Sequence, residues 1–182
     1  MTNNLLVLGN EKLGKLIHHR SISSAVKHVC IGASNLCMLL CYTARKRYKF
    51  RNVQESMDNK YHASLNPDFE EQMLASIKLA YPRVIRIHAG GEFYSPEYAE
   101  KWYRIVKANP NITFFAYTRS WRDPPTYAVL KKLAKLHNMV LWWSCDIETG
   151  PPPKIQNVRR AYLQINPDDV PKFHVDLFFR DK

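Results

Sequence analysis

Long hydrophobic runs are missing from this chain of 182 residues. No apolar stretch approaches the roughly 18 residues that a membrane-spanning helix needs, so we expect no association with a membrane. The amino-terminal segment Met1–Lys15 has only one short apolar run, Leu5–Leu8, whereas a secretory signal needs a longer apolar core. We therefore expect a cytoplasmic protein.

Acidic residues are scarce relative to basic ones. The chain has 16 Asp and Glu residues against 27 Lys and Arg residues, which gives a formal net charge of +11. Such an excess attracts polyanions and releases their counterions, so DNA or RNA is a candidate partner. The segment Arg45–Arg51 concentrates five of these charges around Tyr48 and Phe50, which suits a phosphate backbone and a stacked base. The alternative is the solvated carboxyl end of a helix, whose dipole favours cations.

Only four cysteines are present, and nothing else indicates an exported domain held by disulfides. Three of them, Cys30, Cys37 and Cys41, lie within 12 residues, which favours a metal site in a reducing compartment. Ser34 predicts the N-cap of a helix that runs through Arg45 or beyond. Cys37 then lies in the first turn, Cys41 follows on the same face, and Cys30 approaches from the preceding loop. Three thiolates could therefore converge on one point.

The spacing of these cysteines, C-x6-C-x3-C, bears on the identity of the metal. Structural zinc usually has four ligands in short cysteine pairs, so zinc would need completion by Cys145 or His28. Three cysteines on a 4Fe-4S cluster leave one iron open to a small molecule, and we favour this interpretation. Cys145 is then a candidate fourth ligand. Buried cysteines without a metal are the remaining alternative.

The middle of the chain repeats a strand and a helix about every 28 residues. A cap residue followed by proline predicts three helix starts, at Asn66-Pro67, Ser95-Pro96 and Asp123-Pro124. Short β-branched or aromatic runs predict buried parallel strands, with weaker signals near both ends: Val84–His88, Ile112–Tyr117 and Met139–Ser144, then Leu5–Leu8, Tyr162–Ile165 and Val175–Phe179. Trp142 and Trp143 point to opposite faces of their strand, so one of them is expected in the core.

The predicted fold class is therefore α/β, in a single domain of residues 1–182. Residues 1–50 form an amino-terminal segment with the cysteine cluster, and residues 51–182 carry the β/α repeats. At about 30 residues per unit there is room for about six βα units, fewer than the eight of a complete barrel. A partial (β/α) barrel or an open sheet follows.

Parallel β/α folds bind ligands where the strands end and the loops begin. Polar residues collect at three such ends, in His88–Glu92, Thr118–Ser120 and Ser144–Asp146. His88, Arg119 and Asp146 are the candidate catalytic residues, because Arg binds carboxylate or phosphate and the other two transfer protons. The alternative is that these are ordinary polar loops and that His88 is a structural histidine.

Several motifs resemble those of a family of phage and plasmid proteins named after gene product eighty-eight. The resemblance runs nearly end to end through six stretches: Leu8–Lys15, Cys30–Tyr42, Arg86–Tyr94, Ala116–Trp121, Glu148–Gly150 and Asp176–Asp181. It implies a phage or plasmid origin and, for a phage protein, the host cytoplasm.

A more distant resemblance is to the radical S-adenosylmethionine (radical SAM) enzymes, which share a partial β/α barrel. Their cluster cysteines carry an aromatic residue beside the last one, as Tyr42 stands beside Cys41, although their usual spacing of C-x3-C-x2-C is tighter. Their next strand commonly ends in Gly-Gly-Glu, which meets the amino group of S-adenosylmethionine and is similar to Gly90-Gly91-Glu92. The resemblance implies that Tyr42 and these three residues bind S-adenosylmethionine.

Two functional hypotheses follow. The first is a radical SAM-like enzyme with a 4Fe-4S cluster that acts on a nucleic acid or nucleotide. The second is a non-catalytic iron–sulfur or zinc protein that binds nucleic acid through its basic surface. Fold alone does not separate them, because function depends on the site.

Overall fold

Seven strands form one sheet at the centre of the computed structural model, which describes residues 5–9, 16–23 and 28–180. Their order across the sheet equals their order along the chain, and every neighbouring pair is parallel except the antiparallel first pair. The strands are β1 (Val7–Leu8), β2 (Ile17–Ser21), β3 (Val84–Gly90), β4 (Thr113–Thr118), β5 (Met139–Cys145), β6 (Val158–Gln164) and β7 (Leu177–Arg180). The helices are α1 (Asn35–Leu39), α2 (Arg51–Leu65), α3 (Phe69–Ala80), α4 (Pro96–Ala108) and α5 (Pro124–Leu133).

The strand order explains why the crossover helices cover one face of the sheet. Crossovers between parallel strands are right-handed, so strands added in one direction place every crossover helix on the same side. Ile87, Ala116 and Leu141 face this side and are completely buried. They belong to one core with Trp102 of α4 and Leu130 of α5.

The opposite face of the sheet is concave. Tyr117 on β4 and Phe179 on β7 have ring centroids 5.3 Å apart, although β5 and β6 lie between them. Neighbouring strands are about 4.8 Å apart, so in a flat sheet these positions would be about 14 Å apart. The sheet therefore curves toward this face, which is called the concave face below.

Two of the three predicted helix starts are confirmed. Ser95 and Asp123 each accept a hydrogen bond from the backbone N–H three residues later, at 3.2 and 3.1 Å. The third start is displaced, because Asn66 is the C-cap of α2, which ends at Leu65, and α3 begins only at Phe69. Asn66 precedes Pro67, and proline disfavours helical backbone at the residue before it.

All six predicted strands are present with shifted boundaries, but β2 and α2 were not predicted. The sequence of β2, Ile-His-His-Arg-Ser, lacks an apolar run, and α2 is mostly polar and buries only Met57 and Ser64. The predicted number of units is wrong. In the described residues helices follow only β2, β3 and β4, so there are three βα units and not about six.

No helix in the described part of the chain is both long and apolar enough to cross a membrane.

Candidate functional site

Glu92 lies just beyond β3 and is held by the end of β4. Its carboxylate accepts hydrogen bonds from the hydroxyls of Thr118 at 2.5 Å and Ser120 at 3.1 Å. It accepts a third from the backbone N–H of Arg119 at 2.9 Å. Burial raises the pKa of Glu92, while these three donors and the charge of Arg119 oppose the rise. The carboxyl group of Glu92 is thus held in one orientation. It lies at the edge of the sheet where the parallel strands end, which is called the carboxyl edge below.

The variant Glu92→Gln tests this burial through the pH dependence of stability. A carboxyl group whose pKa in the folded protein exceeds its usual 4.5 binds more protons when folded, so the free energy of unfolding falls as pH rises through that interval. We expect the variant to lose this part of the pH dependence in urea unfolding as the pH rises above 4.5. Glu71→Gln, at an exposed position of α3, is the matched control. Equal pH profiles for the two variants would contradict the assignment.

Gly91 is explained by its backbone and by packing against the residue after β2. It has a φ of +95°, and a Cβ at this position would lie 2.2 Å from Cγ1 of Ile22. The carbonyl of Gly90 accepts a hydrogen bond from the N–H of Ile22 at 2.9 Å. These contacts account for Gly91 without a ligand, and the contact of both glycines with a cofactor stays a prediction.

Arg119 and Asp146 form a buried ion pair. Arg119 Nη1 lies 2.7 Å from Asp146 Oδ2, and the two side chains are 5% and 0% exposed. The other oxygen of Asp146 accepts backbone N–H groups of Glu148 and Thr149, both at 3.0 Å. A carboxylate with these partners is already satisfied, so the geometry favours a positioning role over the predicted catalytic role.

The segment Cys30–Cys41, called the cysteine segment below, is docked at the ends of β4 and β5. The Ser34 hydroxyl donates to Asp146 at 2.5 Å and caps α1 by accepting a backbone N–H at 3.0 Å, which confirms the predicted N-cap. The Glu148 carboxylate accepts the N–H of Leu36 at 3.2 Å. Two acidic residues that follow β5 therefore hold the amino-terminal end of α1, where the helix dipole favours negative charge.

Gly32 brings this segment into direct contact with the backbone after β4. A Cβ at Gly32 would lie 1.9 Å from the carbonyl oxygen of Arg119, far closer than any real contact. The carbonyl of Gly32 also accepts a hydrogen bond from the guanidinium of Arg122 at 3.0 Å. Only glycine permits this approach, so residue 32 fixes how closely the cysteine segment lies on the sheet.

Cys37 is within electrostatic range of the groups at the carboxyl edge. Burial raises the pKa of its thiol, Arg119 lowers it, and Glu92, Cys41 and Asp146 raise it further. The docking therefore places one sulfur near two acidic residues, one arginine and a second cysteine.

The helix that carries the cysteines is shorter than predicted. α1 ends at Leu39 and Cys41 precedes a 3-10 turn at Tyr42–Ala44, so the predicted helix through Arg45 is wrong. Helices in proteins are stabilised mainly by burying an apolar face, and α1 buries none of its residues. Cys37 and Cys41 are therefore not on one face of a continuous helix.

His88 and Cys145 are core residues. His88 is 2% exposed, and its Nε2 lies 3.1 Å from the hydroxyl of Tyr98. Burial lowers the pKa of His88 well below its usual 6.5, which favours a neutral structural histidine over the predicted catalytic role. The thiol of Cys145 donates to the carbonyl of Ala161 at 3.4 Å, and burial raises its pKa to about 11. Its role as a fourth ligand stays a prediction.

Tyr42 lies toward the concave face. Tyr42 is 52% exposed, but desolvation of its hydroxyl raises the pKa to about 12, and the charge of Arg86 opposes the rise. Its ring meets that of Tyr48 edge-on at 5.6 Å. The contact of Tyr42 with a cofactor stays a prediction.

The three thiols of the cysteine segment are suitable ligands for an iron–sulfur cluster, but they are not arranged around one point. All four cysteines are in the described residues, and none of them forms a disulfide. Among those residues, no group of three or more His, Cys, Asp or Glu side chains is arranged to hold a metal ion. Three thiols in one docked segment are thus present, and their convergence on one metal stays a prediction.

The side chains that line the concave face were not predicted from the sequence. Tyr117 and Trp142 stack there with centroids 5.4 Å apart, and Arg86 and Arg159 lie over the two rings. The available signal was strand alternation, since Trp143 is completely buried and Trp142 is only partly buried. The prediction that one of these two tryptophans is core is confirmed.

Comparison with known proteins places the chain in one protein family. Residues 2–176 match the family model described as Gene product 88. Relatives include the Gene 88 protein of Mycobacterium phage L5 and that of Mycobacterium phage D29, each 26% identical over 149 residues. The match covers 76% of this chain and 60% of each relative, so the chain spans less than two thirds of their length. No solved structure matches.

Proposed function

This chain belongs to the Gene product 88 family, and we propose that it is a phage iron–sulfur protein whose cysteine segment binds a 4Fe-4S cluster at the carboxyl edge of the sheet. The observation that supports the proposal is the docking of this segment at the strand ends, with Cys37 in electrostatic range of Glu92 and Arg119. Parallel β/α folds bind their ligands at this edge. The radical SAM resemblance adds the expectation of a partial barrel, whereas the matched relatives carry names that state no activity.

Cluster binding requires the three thiols to move together. The cost in packing is small, because α1 buries no residue and all three cysteines are only partly buried. Ser34 and Leu36 hold the amino-terminal end of α1 in place. We therefore assign the movement to Cys30 in the preceding loop and to Cys41 beyond the end of the helix.

Glu92 is the group that we assign to the cofactor S-adenosylmethionine. A cluster held by three cysteines would leave one iron open to this ligand and, once reduced, would supply an electron to its sulfonium group. Glu92 would bind the ammonium group of the ligand, because a cation beside a partly buried carboxyl stabilises its ionised form. Arg119 and Asp146 would position the segment and the loops around it.

Anaerobic reconstitution with iron and sulfide tests the cluster. We expect about four irons per chain in the wild-type protein and essentially none after joint replacement of Cys30, Cys37 and Cys41 by alanine. Cys145→Ala is the matched control and should keep its iron, since its thiol is engaged with Ala161 in the core. Loss of iron from this control would identify Cys145 as a fourth ligand.

Unchanged iron in the triple variant, or zinc bound in place of iron, would overturn the proposal. The reconstituted protein is then titrated with S-adenosylmethionine. A changed cluster spectrum in wild type and a weaker change in Glu92→Gln would support the assigned ligand.

A nucleic acid or nucleotide is the substrate or partner that we propose for the protein. The net charge of +11 favours a polyanion, and arginines beside partly exposed aromatic rings on the concave face favour one with bases.

A further inference from the structure

The concave face carries aromatic rings that remain partly open to solvent. Tyr117 and Trp142 stack at 5.4 Å with their planes 29° apart, and Phe179 meets Tyr117 edge-on at 5.3 Å. Phe179 is 43% exposed, whereas Trp143, on the other face of the same sheet, is completely buried. The rings on the concave face therefore do not belong to the core that stabilises the fold.

Two arginines lie against these rings. The guanidinium carbon of Arg86 is 5.5 Å from the ring centroid of Tyr117, and that of Arg159 is 5.2 Å from the ring centroid of Trp142. Neither arginine forms an ion pair within the described residues. Asp176, just before β7, is within electrostatic range of Arg159 but forms its ion pair with His174, so both guanidinium groups can still bind a ligand on this face.

Acidic side chains are absent from every strand of the sheet. The seven strands contain no Asp or Glu within their described bounds, although the whole chain has 16 such residues. The strand residues on the concave face therefore carry positive charge only. Arg159 is the more exposed of the two arginines. It lies on β6, opposite Trp142 of the stacked pair Tyr117 and Trp142.

These features match the chemistry of an unpaired nucleic-acid strand. Nucleobases stack on aromatic rings without sequence preference, and guanidinium groups bind phosphate. A duplex holds its bases inside the helix and offers no base faces to a concave sheet. We infer that the concave face binds single-stranded nucleic acid, with bases on Tyr117 and Trp142 and phosphates at Arg86 and Arg159.

This inference specifies the surface for the nucleic-acid partner proposed above, and it does not depend on the cluster. Tyr42, the neighbour of Cys41, is within electrostatic range of Arg86, so the cysteine segment ends beside the concave face. A bound strand would therefore reach the carboxyl edge of the sheet.

Fluorescence anisotropy with labelled oligonucleotides tests the surface. The probes are single strands of about 15 thymidines or uridines and a mixed-sequence duplex of the same length. We expect tighter binding of a single strand than of the duplex, and at least about tenfold weaker binding by Trp142→Ala. Trp142→Phe should restore most of the affinity. Tighter binding of the uridine probe would assign RNA, and tighter binding of the thymidine probe would assign DNA.

Arg159→Ala and Lys131→Ala form a matched pair. Lys131 makes the same kind of cation–π contact, 5.0 Å from the ring centroid of Tyr127, on the helix α5. Arg159→Ala should reduce the slope of log K against log salt by about 0.7, the value for one phosphate contact on a single strand. Lys131→Ala should leave the slope unchanged.

Equal effects of these two variants would overturn the inference, as would duplex binding at least as tight as single-strand binding. If Trp142→Ala does not fold, as judged by circular dichroism, Trp142→Leu takes its place, because leucine fills the site without an aromatic face. Iron content is measured on every variant. Weaker nucleic-acid binding at constant iron separates this surface from the cluster.

Discussion

Asp146→Ala should lower the free energy of unfolding by about 3–5 kcal/mol, because it leaves the buried charge of Arg119 without a partner. The two side chains are 5% and 0% exposed, so water cannot replace the lost carboxylate. The same carboxylate accepts the hydroxyl of Ser34, so the cysteine segment should also loosen. Urea unfolding monitored by circular dichroism gives the free energy, and the alkylation rate of Cys37 reports the loosening.

The matched control for this change is Glu100→Ala. Glu100 pairs with Lys132 at 2.7 Å, the same distance as in the buried pair, but these side chains are 30% and 59% exposed. An exposed pair of this kind contributes about 0–1 kcal/mol. Asp146→Asn keeps hydrogen-bonding atoms and loses the charge, so we expect an intermediate loss. Similar losses of unfolding free energy in Asp146→Ala and Glu100→Ala would contradict the expectation that burial makes the Arg119–Asp146 pair more important for stability.

Gly32→Ala should detach the cysteine segment from the sheet. Its new Cβ would lie 1.9 Å from the carbonyl oxygen of Arg119, and backbone cannot rotate away as a flexible side chain can. Overpacking of this kind costs about 1–3 kcal/mol, which corresponds to an increase of about fivefold to 150-fold in a reaction that requires undocking. We expect faster alkylation of Cys37, measured by mass spectrometry of its peptide, and weaker retention of iron.

Gly150→Ala separates this steric effect from a general effect of replacing glycine. Gly150 has a φ of +66°, and a Cβ there would meet nothing within 4 Å. Its replacement should cost about 1 kcal/mol through left-handed strain and leave the alkylation of Cys37 unchanged. Faster alkylation in both variants would indicate loss of overall stability instead of undocking.

The parts of the fold that were predicted depend on local signals. The N-caps at Ser34, Ser95 and Asp123 depend on a side chain and a backbone N–H three residues later, so the sequence contains both partners. The central strands were found because a strand buried on a parallel sheet needs an unbroken run of apolar residues. The strand β2 has no such run, and its pairing with β3 depends on residues more than 60 positions away.

The sequence predicted where the residues of the candidate site lie, but not which side chains they contact. Glu92, Arg119 and Asp146 were placed at strand ends, and the structure confirms that all three lie at the carboxyl edge of the sheet. The structure favours positioning roles for Arg119 and Asp146, because Asp146 pairs with Arg119 across 27 positions and with Ser34 across 112 positions. The predicted catalytic roles of these two residues stay predictions. Spacing along the chain carries no information about contacts of such separation.

The shortened helix α1 shows the same limit. Ser34 predicted where it begins, but its length depended on how much of it could be buried, and the sheet buries none of its residues. The 3-10 turns that follow place Tyr42 beside Arg86 of β3.

The sequence by itself determined the family, the alternation of strands and helices, the excess of positive charge and the presence of three cysteines in one short segment. These properties reside in composition and in contacts between near neighbours. Only the tertiary structure decided which of the polar residues are buried in pairs, that Gly32 holds the cysteine segment against Arg119, and that Tyr117, Trp142 and Arg159 share one open face. The physical reason is that burial and charge pairing depend on the curvature and strand order of the sheet, which bring distant residues together.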